Sequence, residues 1–355
     1  MKVAIVGGGV AGLAIGWRLA QAQCDVTIFE RGLAGRGATW AAAGMIAASF
    51  EMGEQETPLF ELAHASRGAW PEFAREIESV SGTDLAYREP GALLVALAEE
   101  QEENLRRHAN YGRWLSRDEV LSREPLLAPN LRGALHATDA ALVDNRALGP
   151  ALAKVFNNAG GKLRELCEVT SISVQSNFAR GVVLARETVE ADVVVLAAGA
   201  WCSGVMVSPP VRPVKGQMIA LAPPPGVTLP NCPAWESEVY IVPRRDRLLV
   251  GATVEEVGSD TAVTAEAHDW LLGGAKRLVP SLGQWRVAEM WAGLRPATPD
   301  ALPVLGRAGP GGLFVASGQF RNGILFAPAV ADAVSRAVLG KPVPAFTEAF
   351  AASRF

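Results

Sequence analysis

The first thirty residues constrain the fold more than any other part of the chain. Lys2-Val3-Ala4-Ile5-Val6 is a short apolar run that reads as a buried strand. Gly7-Gly8-Gly9-Val10-Ala11-Gly12 follows at once, and Gly7, Gly9 and Gly12 fit the spacing G-x-G-x-x-G. In such a loop the first glycine makes a tight turn and the second lets backbone approach a pyrophosphate. The third lets the following helix pack closely on the strand. Residues 10–23 then read as a helix with Leu13, Trp17 and Ala20 on one stripe. Its N-terminal amides and dipole would face phosphates. A second strand, Asp25–Phe29, runs into Glu30, where a carboxylate meets a ribose hydroxyl. Glu30 also speaks against a 2′-phosphorylated nucleotide, because two negative groups would be juxtaposed. A glycine turn in an ordinary α/β unit is the plainer reading, but it leaves the register of strand, loop, helix, strand and acid unexplained.

The chain does not continue as a nicotinamide domain would. After Glu30 comes Arg31-Gly32-Leu33-Ala34-Gly35-Arg36-Gly37-Ala38-Thr39-Trp40-Ala41-Ala42-Ala43-Gly44-Met45, rich in Gly and Ala and poor in sheet character. Small residues let a backbone lie flat against a bulky planar ligand. The third strand of the nucleotide sheet is expected only at Ala191–Gly199, a continuous apolar run ending in small residues. An amphipathic helix, about Ala147–Asn158, precedes it and is stopped by Gly160-Gly161. Short strands are expected near Val169–Val174 and Gly181–Leu184. A last strand, Leu313–Ala316, leads through Ser317–Gly323 into an apolar helix over 324–339, with Pro328 in its first turns.

This pattern predicts an α/β fold: a Rossmann-like FAD-binding domain with an inserted, mainly antiparallel-sheet substrate domain. The FAD-binding domain is expected at 1–80, 140–208 and 291–355, and the substrate domain at 81–139 and 209–290. The second insertion holds β-like runs at Val214–Leu221, Val239–Val242 and Arg247–Thr253, with Pro223-Pro224-Pro225 marking a turn. The charge run Glu99–Arg107 reads as a solvated helix face.

Composition limits the alternatives. At 355 residues, about two domains are expected. A hydrophobic content of 49% with 20% charged residues excludes extensive disorder. A net charge of -4 gives no footprint for nucleic acid. The longest nearly uncharged run, Trp40–Phe50, is about half of what a bilayer needs, so no membrane span is expected. No signal peptide is read, because the first apolar run flows into the glycine loop. Cys24, Cys167, Cys202 and Cys232 are far apart and form no CxxC, and His64, His108, His136 and His268 are scattered. Disulfides and a metal site are therefore not expected, and a cytoplasmic location is.

Taken together, these segments resemble the flavin-dependent D-amino acid oxidase family, and within it the bacterial glycine oxidases of thiamine biosynthesis. The residues that carry the resemblance are GGGVAG (7–12), TWAAAGM (39–45), PVKGQ (213–217) and YIVPR (240–244). LLVGAT (248–253), WAGLRPATPDALPVLG (291–306) and GQFRNGILFAP (318–328) complete it, in family order along essentially the whole chain. The resemblance implies FAD contacts from Gly7, Gly9, Val10, Ala11 and Gly12, and from Glu30 and Arg31 at the ribose. It places Ala38, Thr39, Ala43, Gly44 and Met45 at the pyrophosphate and flavin, and Val169 at the adenine. Gly199 joins this set, as do Gly318, Gln319, Phe320, Arg321, Asn322, Gly323, Ile324 and Leu325 under the ring. Arg295 matches the arginine that binds the substrate carboxylate, Tyr240 the tyrosine that hydrogen-bonds it, and Arg321 a second arginine near the substrate. Relatives that link the flavin covalently use a cysteine near the C-terminus. The last cysteine here is Cys232, so FAD is expected to be non-covalent.

The implied reaction is oxidation of a small amino acid or amine, with glycine or a D-amino acid as substrate. A guanidinium fits a carboxylate bidentately, and positioning supplies much of the rate. A hydride passes from Cα to the flavin, molecular oxygen is reduced to hydrogen peroxide, and the imine hydrolyses to a 2-oxo acid and ammonia. A homo-oligomer is expected from the relatives. The alternative acceptor is a quinone or partner protein, which would make the enzyme a dehydrogenase. Three positions depart from the pattern: Glu238 replaces a histidine, Val254 a methionine, and Trp40 a small polar residue. Plainer readings stand beside the site residues. Arg295 could pair an acid such as Asp300, Tyr240 could be a half-buried strand tyrosine, and Arg321 could cap a helix. Lys215 reads as a surface or structural lysine rather than a base, and Cys202 as a small buried hydrophobe.

Overall fold

The computed structural model describes residues 1–49, 57–108, 112–237 and 239–355. Lys2–Val6 and Asp25–Phe29 are parallel neighbours at the centre of a six-stranded sheet. Its order is 304–307, 313–317, 193–196, 2–6, 25–29, 162–164. All pairings are parallel except that of Val304–Arg307 with Leu313–Ser317. The strand expected at Ala191–Gly199 is thus found as Val193–Leu196, beside the first strand. The four inner strands carry apolar residues on both faces, as a sheet covered on both sides requires.

Helix Val10–Gln21 crosses one face with Leu13, Ile15, Trp17 and Leu19 fully buried. It ends two residues earlier than expected because Gln23 takes a φ of 62° to turn the chain into the second strand. Helices Pro58–Ser81, Asn145–Asn158 and Gly323–Val338 pack beside it. The first two have start signals of their own. Thr57 accepts the Phe60 N–H, and Asp144 accepts those of Arg146 and Ala147. The other face is covered by a three-stranded antiparallel sheet, 169–175, 178–184 and 188–190.

The inserted segments build an eight-stranded sheet in the order 286–297, 212–222, 248–251, 239–243, 234–236, 92–96, 133–137, 113–116. It is antiparallel but for one junction, Ala234–Glu236 beside Ala92–Ala96. Residues from both insertions therefore share one sheet and one core. The domain boundary expected at 291 needs correction, because it falls inside strand Arg286–Ala297. That strand pairs with Arg212–Ala222 as far as Ala297, so its last residues belong to the inserted sheet. Helix Glu99–Arg107 buries no residue, in keeping with its charge run.

Candidate active site

A cavity of about 1250 Å³ runs between the two sheets. It joins residues distant in sequence: the glycine loop, Glu30, Val169, the start of the last helix, and one face of the inserted sheet. Gly7 has a φ of 106°, and a side chain there would overlap the Ala197 carbonyl. Helix Val10–Gln21 opens on the cavity, and Gly9 offers no side chain to cap it. Only the Val10 N–H is met by a side chain, the Thr39 hydroxyl at 2.9 Å. The end of the helix is therefore left to an anionic ligand.

The Glu30 carboxylate is held by two backbone N–H groups, those of Gly8 at 2.7 Å and Gly32 at 2.8 Å. It is thereby fixed at the cavity edge, beside Arg31, whose guanidinium stacks 3.7 Å from the centre of the Trp201 ring. The loop 38–45 is pinned from behind. The Asn145 side chain donates to the carbonyls of Thr39 and Trp40, each at 2.9 Å. The half-buried Arg244 donates to the carbonyls of Ala43 and Val143. Burial depresses its guanidinium to a pKa of about 10.

On the inserted sheet, cross-strand register sets a row of Tyr240, Gly251, Met218 and Trp291. The next row along that face pairs Gly216 with Gly293. These three glycines leave the face bare where other groups lie. A side chain at Gly251 would overlap the Tyr240 ring, at Gly293 the Ala41 methyl, and at Gly216 the Arg295 guanidinium. Glycine inside a strand often marks such an approach. Arg295 donates Nη1 to the carbonyls of Thr253 at 3.0 Å and Lys215 at 3.2 Å. Asp300, its suggested alternative partner, is bonded by Arg354 instead.

The expected cofactor residues line the cavity, apart from Gly12 and Gly318. Gly12 lies so close to the Gly7 carbonyl that a side chain would overlap it. Gly318 has a φ of 71° and packs on Thr298. Arg295, Tyr240 and Arg321 all line the cavity. Val254 does too, whereas Trp40 does not. Trp40 is packed edge-on to Trp291 under the Arg146 guanidinium, which also pairs with Glu289 across the two domains. Glu238 lies outside the described residues.

Lys215 is not on the surface: it is 1% exposed and bonded to Asp260 at 2.8 Å. Cys202 is buried, and burial pushes its thiol up to about 11. None of the four cysteines lines the cavity. Among the described residues no three His, Cys, Asp or Glu side chains are placed to hold a metal ion.

Several residues at the site are given no role by the sequence. Gly216, Gly251 and Gly293 interrupt β-like runs and lie in segments that carry the family resemblance, but neither signal shows what packs over them; of the three, Gly216 and Gly293 line the cavity. Met218, Trp235, Ser237 and Trp270 give no such signal, because their exposure to the cavity depends on tertiary packing.

These features define a two-domain protein with a dinucleotide cradle facing a guanidinium. The fit to FAD rests on the cavity itself. It has a glycine-lined, uncapped helix end and a carboxylate fixed by two amides. It also has the wall residue Gln319, whose buried side-chain nitrogen has no protein partner. Comparison with known proteins agrees. The family described as DAO, FAD dependent oxidoreductase, matches residues 2–337. Glycine oxidase of Geobacillus kaustophilus is 40% identical over 354 residues, covering 94% of this chain and 93% of that protein. The crystal structure of glycine oxidase from Geobacillus kaustophilus superposes with a TM-score of 0.91 at 37% identity, covering 100% and 99% of the two chains. The bifunctional protein ThiO/ThiG of Synechocystis is 35% identical over 99% of this chain, but the chain spans only 54% of its length. The chain belongs to the DAO family of FAD dependent oxidoreductases. FAD is its cofactor, and the enzyme class is oxidoreductase. No described helix is long and apolar enough to cross a membrane.

Proposed function

We propose that this enzyme oxidises glycine and other small amines or D-amino acids. The observation that carries the reading is that one cavity joins the nucleotide-binding residues Glu30 and Val169 to Arg295 and Tyr240. In this reading Arg295 binds the substrate carboxylate through its planar fork. The Tyr240 hydroxyl donates a further hydrogen bond to it. Arg321, on the wall at the start of the last helix, adds positive charge near the substrate. Gly216, Gly251 and Gly293 let the Arg295 guanidinium, the Tyr240 ring and Ala41 lie close against the sheet, so that the two polar groups are held at the floor of the substrate pocket. Met218, Trp235 and Trp291 keep water from the α-carbon side of that pocket, two of them on its wall and Trp291 behind it. Bound FAD supplies the two-electron acceptor, and molecular oxygen then takes the electrons to give hydrogen peroxide. The protein's part is to hold Cα in line and to admit the amine deprotonated. Hydrolysis of the resulting imine gives glyoxylate from glycine, with ammonia.

FAD would be held non-covalently by the loop, Glu30, Arg31, residues 38–45 and Val169, with Gly199 and residues 319–325 completing the wall. A place in thiamine biosynthesis, a cytoplasmic location and a homo-oligomeric state belong to the same proposal. The names of the glycine oxidase and ThiO/ThiG relatives support the first of these.

The test is oxygen uptake by the purified protein with glycine, sarcosine and a panel of D-amino acids. Uptake greatest with glycine or sarcosine is expected. Uptake only with bulkier D-amino acids would overturn the glycine preference. Bleaching of the flavin by substrate without oxygen uptake would make the enzyme a dehydrogenase that uses a quinone or partner protein.

A further inference from the structure

Strand Arg212–Ala222 has two faces with different tasks. Gly216 and Met218 line the cavity, while Lys215 and Gln217 point to the opposite side. Both are 1% exposed, a cation and an amide buried where the strand is otherwise apolar. Burial of a charge is costly unless partners satisfy it. Here the partners all come from one segment, 253–264.

The Lys215 ammonium donates to Asp260 at 2.8 Å and lies 3.6 Å from a Glu255 oxygen. Gln217 donates its side-chain amide to Glu255 at 2.9 Å, and its side-chain oxygen accepts the Thr264 N–H at 2.8 Å. The Thr253 hydroxyl accepts the Gln217 N–H at 2.8 Å and itself donates to Glu255. Lys215 and Glu255 also exchange backbone bonds of 2.9 and 3.0 Å. Burial pushes the Glu255 carboxyl up, but the Thr253, Gln217 and Lys215 contacts outweigh it and keep it below its ordinary value. Beyond these contacts the segment has little to hold it, since residues 256–263 are exposed.

The consequence lies on the other face. The two carbonyls that receive Nη1 of Arg295 belong to Lys215 and Thr253, the two ends of this polar clamp. Their separation and direction are set by how residues 253–255 sit against the strand. With Nη1 held there and the guanidinium laid over Gly216, its plane is set before substrate arrives.

We propose that Lys215, acting through Asp260 and Glu255, is a positioning residue for Arg295. It does not touch substrate. Its ammonium, bonded to Asp260 and close to Glu255, holds the segment 253–260 against the strand and so orients the guanidinium for carboxylate binding. This rests on the reading that Arg295 binds the carboxylate, and the experiment separates the two.

The FAD-loaded protein is titrated with acetate, a carboxylate with no amine to oxidise, and Kd is read from the flavin absorbance. KM and kcat for glycine, FAD content and the unfolding midpoint are measured alongside. Lys215→Met should weaken acetate about tenfold and raise KM in parallel, with kcat reduced no more than about twofold. Glu255→Gln should move both in the same direction by less, because Asp260 still pairs the lysine. Glu256→Gln, on the same loop but paired with the exposed Arg212, should leave acetate binding unchanged. Unchanged acetate affinity in Lys215→Met overturns the proposal; if that variant does not fold, Glu255→Gln decides in the same way. Parallel loss of FAD content, unfolding midpoint and acetate affinity would mark a merely structural lysine and also overturn it. Arg295→Leu identifies which idea failed. If it weakens acetate and Lys215→Met does not, only the clamp is wrong. If it leaves acetate binding intact, the carboxylate reading falls and the clamp with it.

Discussion

The Arg295 guanidinium lies across the backbone of Gly216, close enough that even a methyl group there would overlap it. Gly216→Ala therefore separates stability from binding. The displaced atoms are the end of a flexible side chain, so the stability cost should stay within about 1 kcal/mol. The guanidinium must nonetheless leave its two carbonyl partners. KM for glycine should rise about tenfold with FAD still bound, as steady-state kinetics and flavin absorbance would reveal.

Arg295 and Tyr240 should differ in weight. Arg295→Leu removes a charge and two directed bonds, so KM should rise roughly 100-fold with the flavin retained. Tyr240→Phe removes one hydrogen bond, for an increase of roughly 2- to 10-fold. Equal losses from the two would reverse the proposed hierarchy, and unchanged amine kinetics in Arg295→Leu would remove its role.

Glu30 accepts two backbone N–H groups and faces the cavity, so in the proposed function it serves both loop and ligand. Glu30→Ala should weaken FAD by roughly 10-fold or more, from the loss of charged hydrogen bonds worth about 1.5–3 kcal/mol. Equilibrium dialysis of FAD measures this directly. Full retention of FAD would mean that the carboxylate only orders the loop.

Ser66 is inserted into the last helix. Its hydroxyl donates to the Leu325 carbonyl at 2.7 Å and accepts the Ala329 N–H at 3.3 Å, next to Pro328. Trp70 donates to the same carbonyl at 3.0 Å. Ser66→Ala leaves the Ala329 amide buried without that partner, at a cost of about 1–3 kcal/mol in denaturant unfolding. Because Leu325 lines the cavity, FAD release on heating should come earlier as well.

Glu236 gives the protein an acid-sensitive contact. Burial pushes its carboxyl up, but bonds from Ser237, Gln101 and Arg277 outweigh that and hold it below the ordinary glutamate value. A folded pKa below the unfolded one stabilises above the unfolded value. That contribution is lost as pH falls through the folded value. Glu236→Gln should thus lower Tm at neutral pH, by an amount reflecting about 1–3 kcal/mol. The gap from the parent protein should narrow in acid. A gap constant from neutral to acid pH would count against the assignment.

Much of the molecule is legible in its sequence because its signals are local. The loop 7–12 and Glu30 are fixed by turn geometry and spacing within one strand–helix–strand unit, and Arg295 lies in a recognisable segment. The end of the first helix is less legible, because the backbone reversal at Gln23 answers to the strand it leads into. The boundary expected at 291 fails for a different reason. A strand belongs to whichever sheet it pairs with, and Arg286–Ala297 finds its partner in Arg212–Ala222, some seventy positions earlier.

What the sequence determined by itself was the nucleotide-binding unit, which arises from residue types at short, fixed spacing. Arg295 and Tyr240 were implied only by the family resemblance. Tertiary structure alone decided which glycines would lie beneath Arg295 and Tyr240, that Trp40 would pack away from the cavity, and that Lys215 would be buried. Each depends on register between strands far apart in the chain. A shift of one residue in that register would turn Gly216 to the back of the sheet and bring Lys215 to the front.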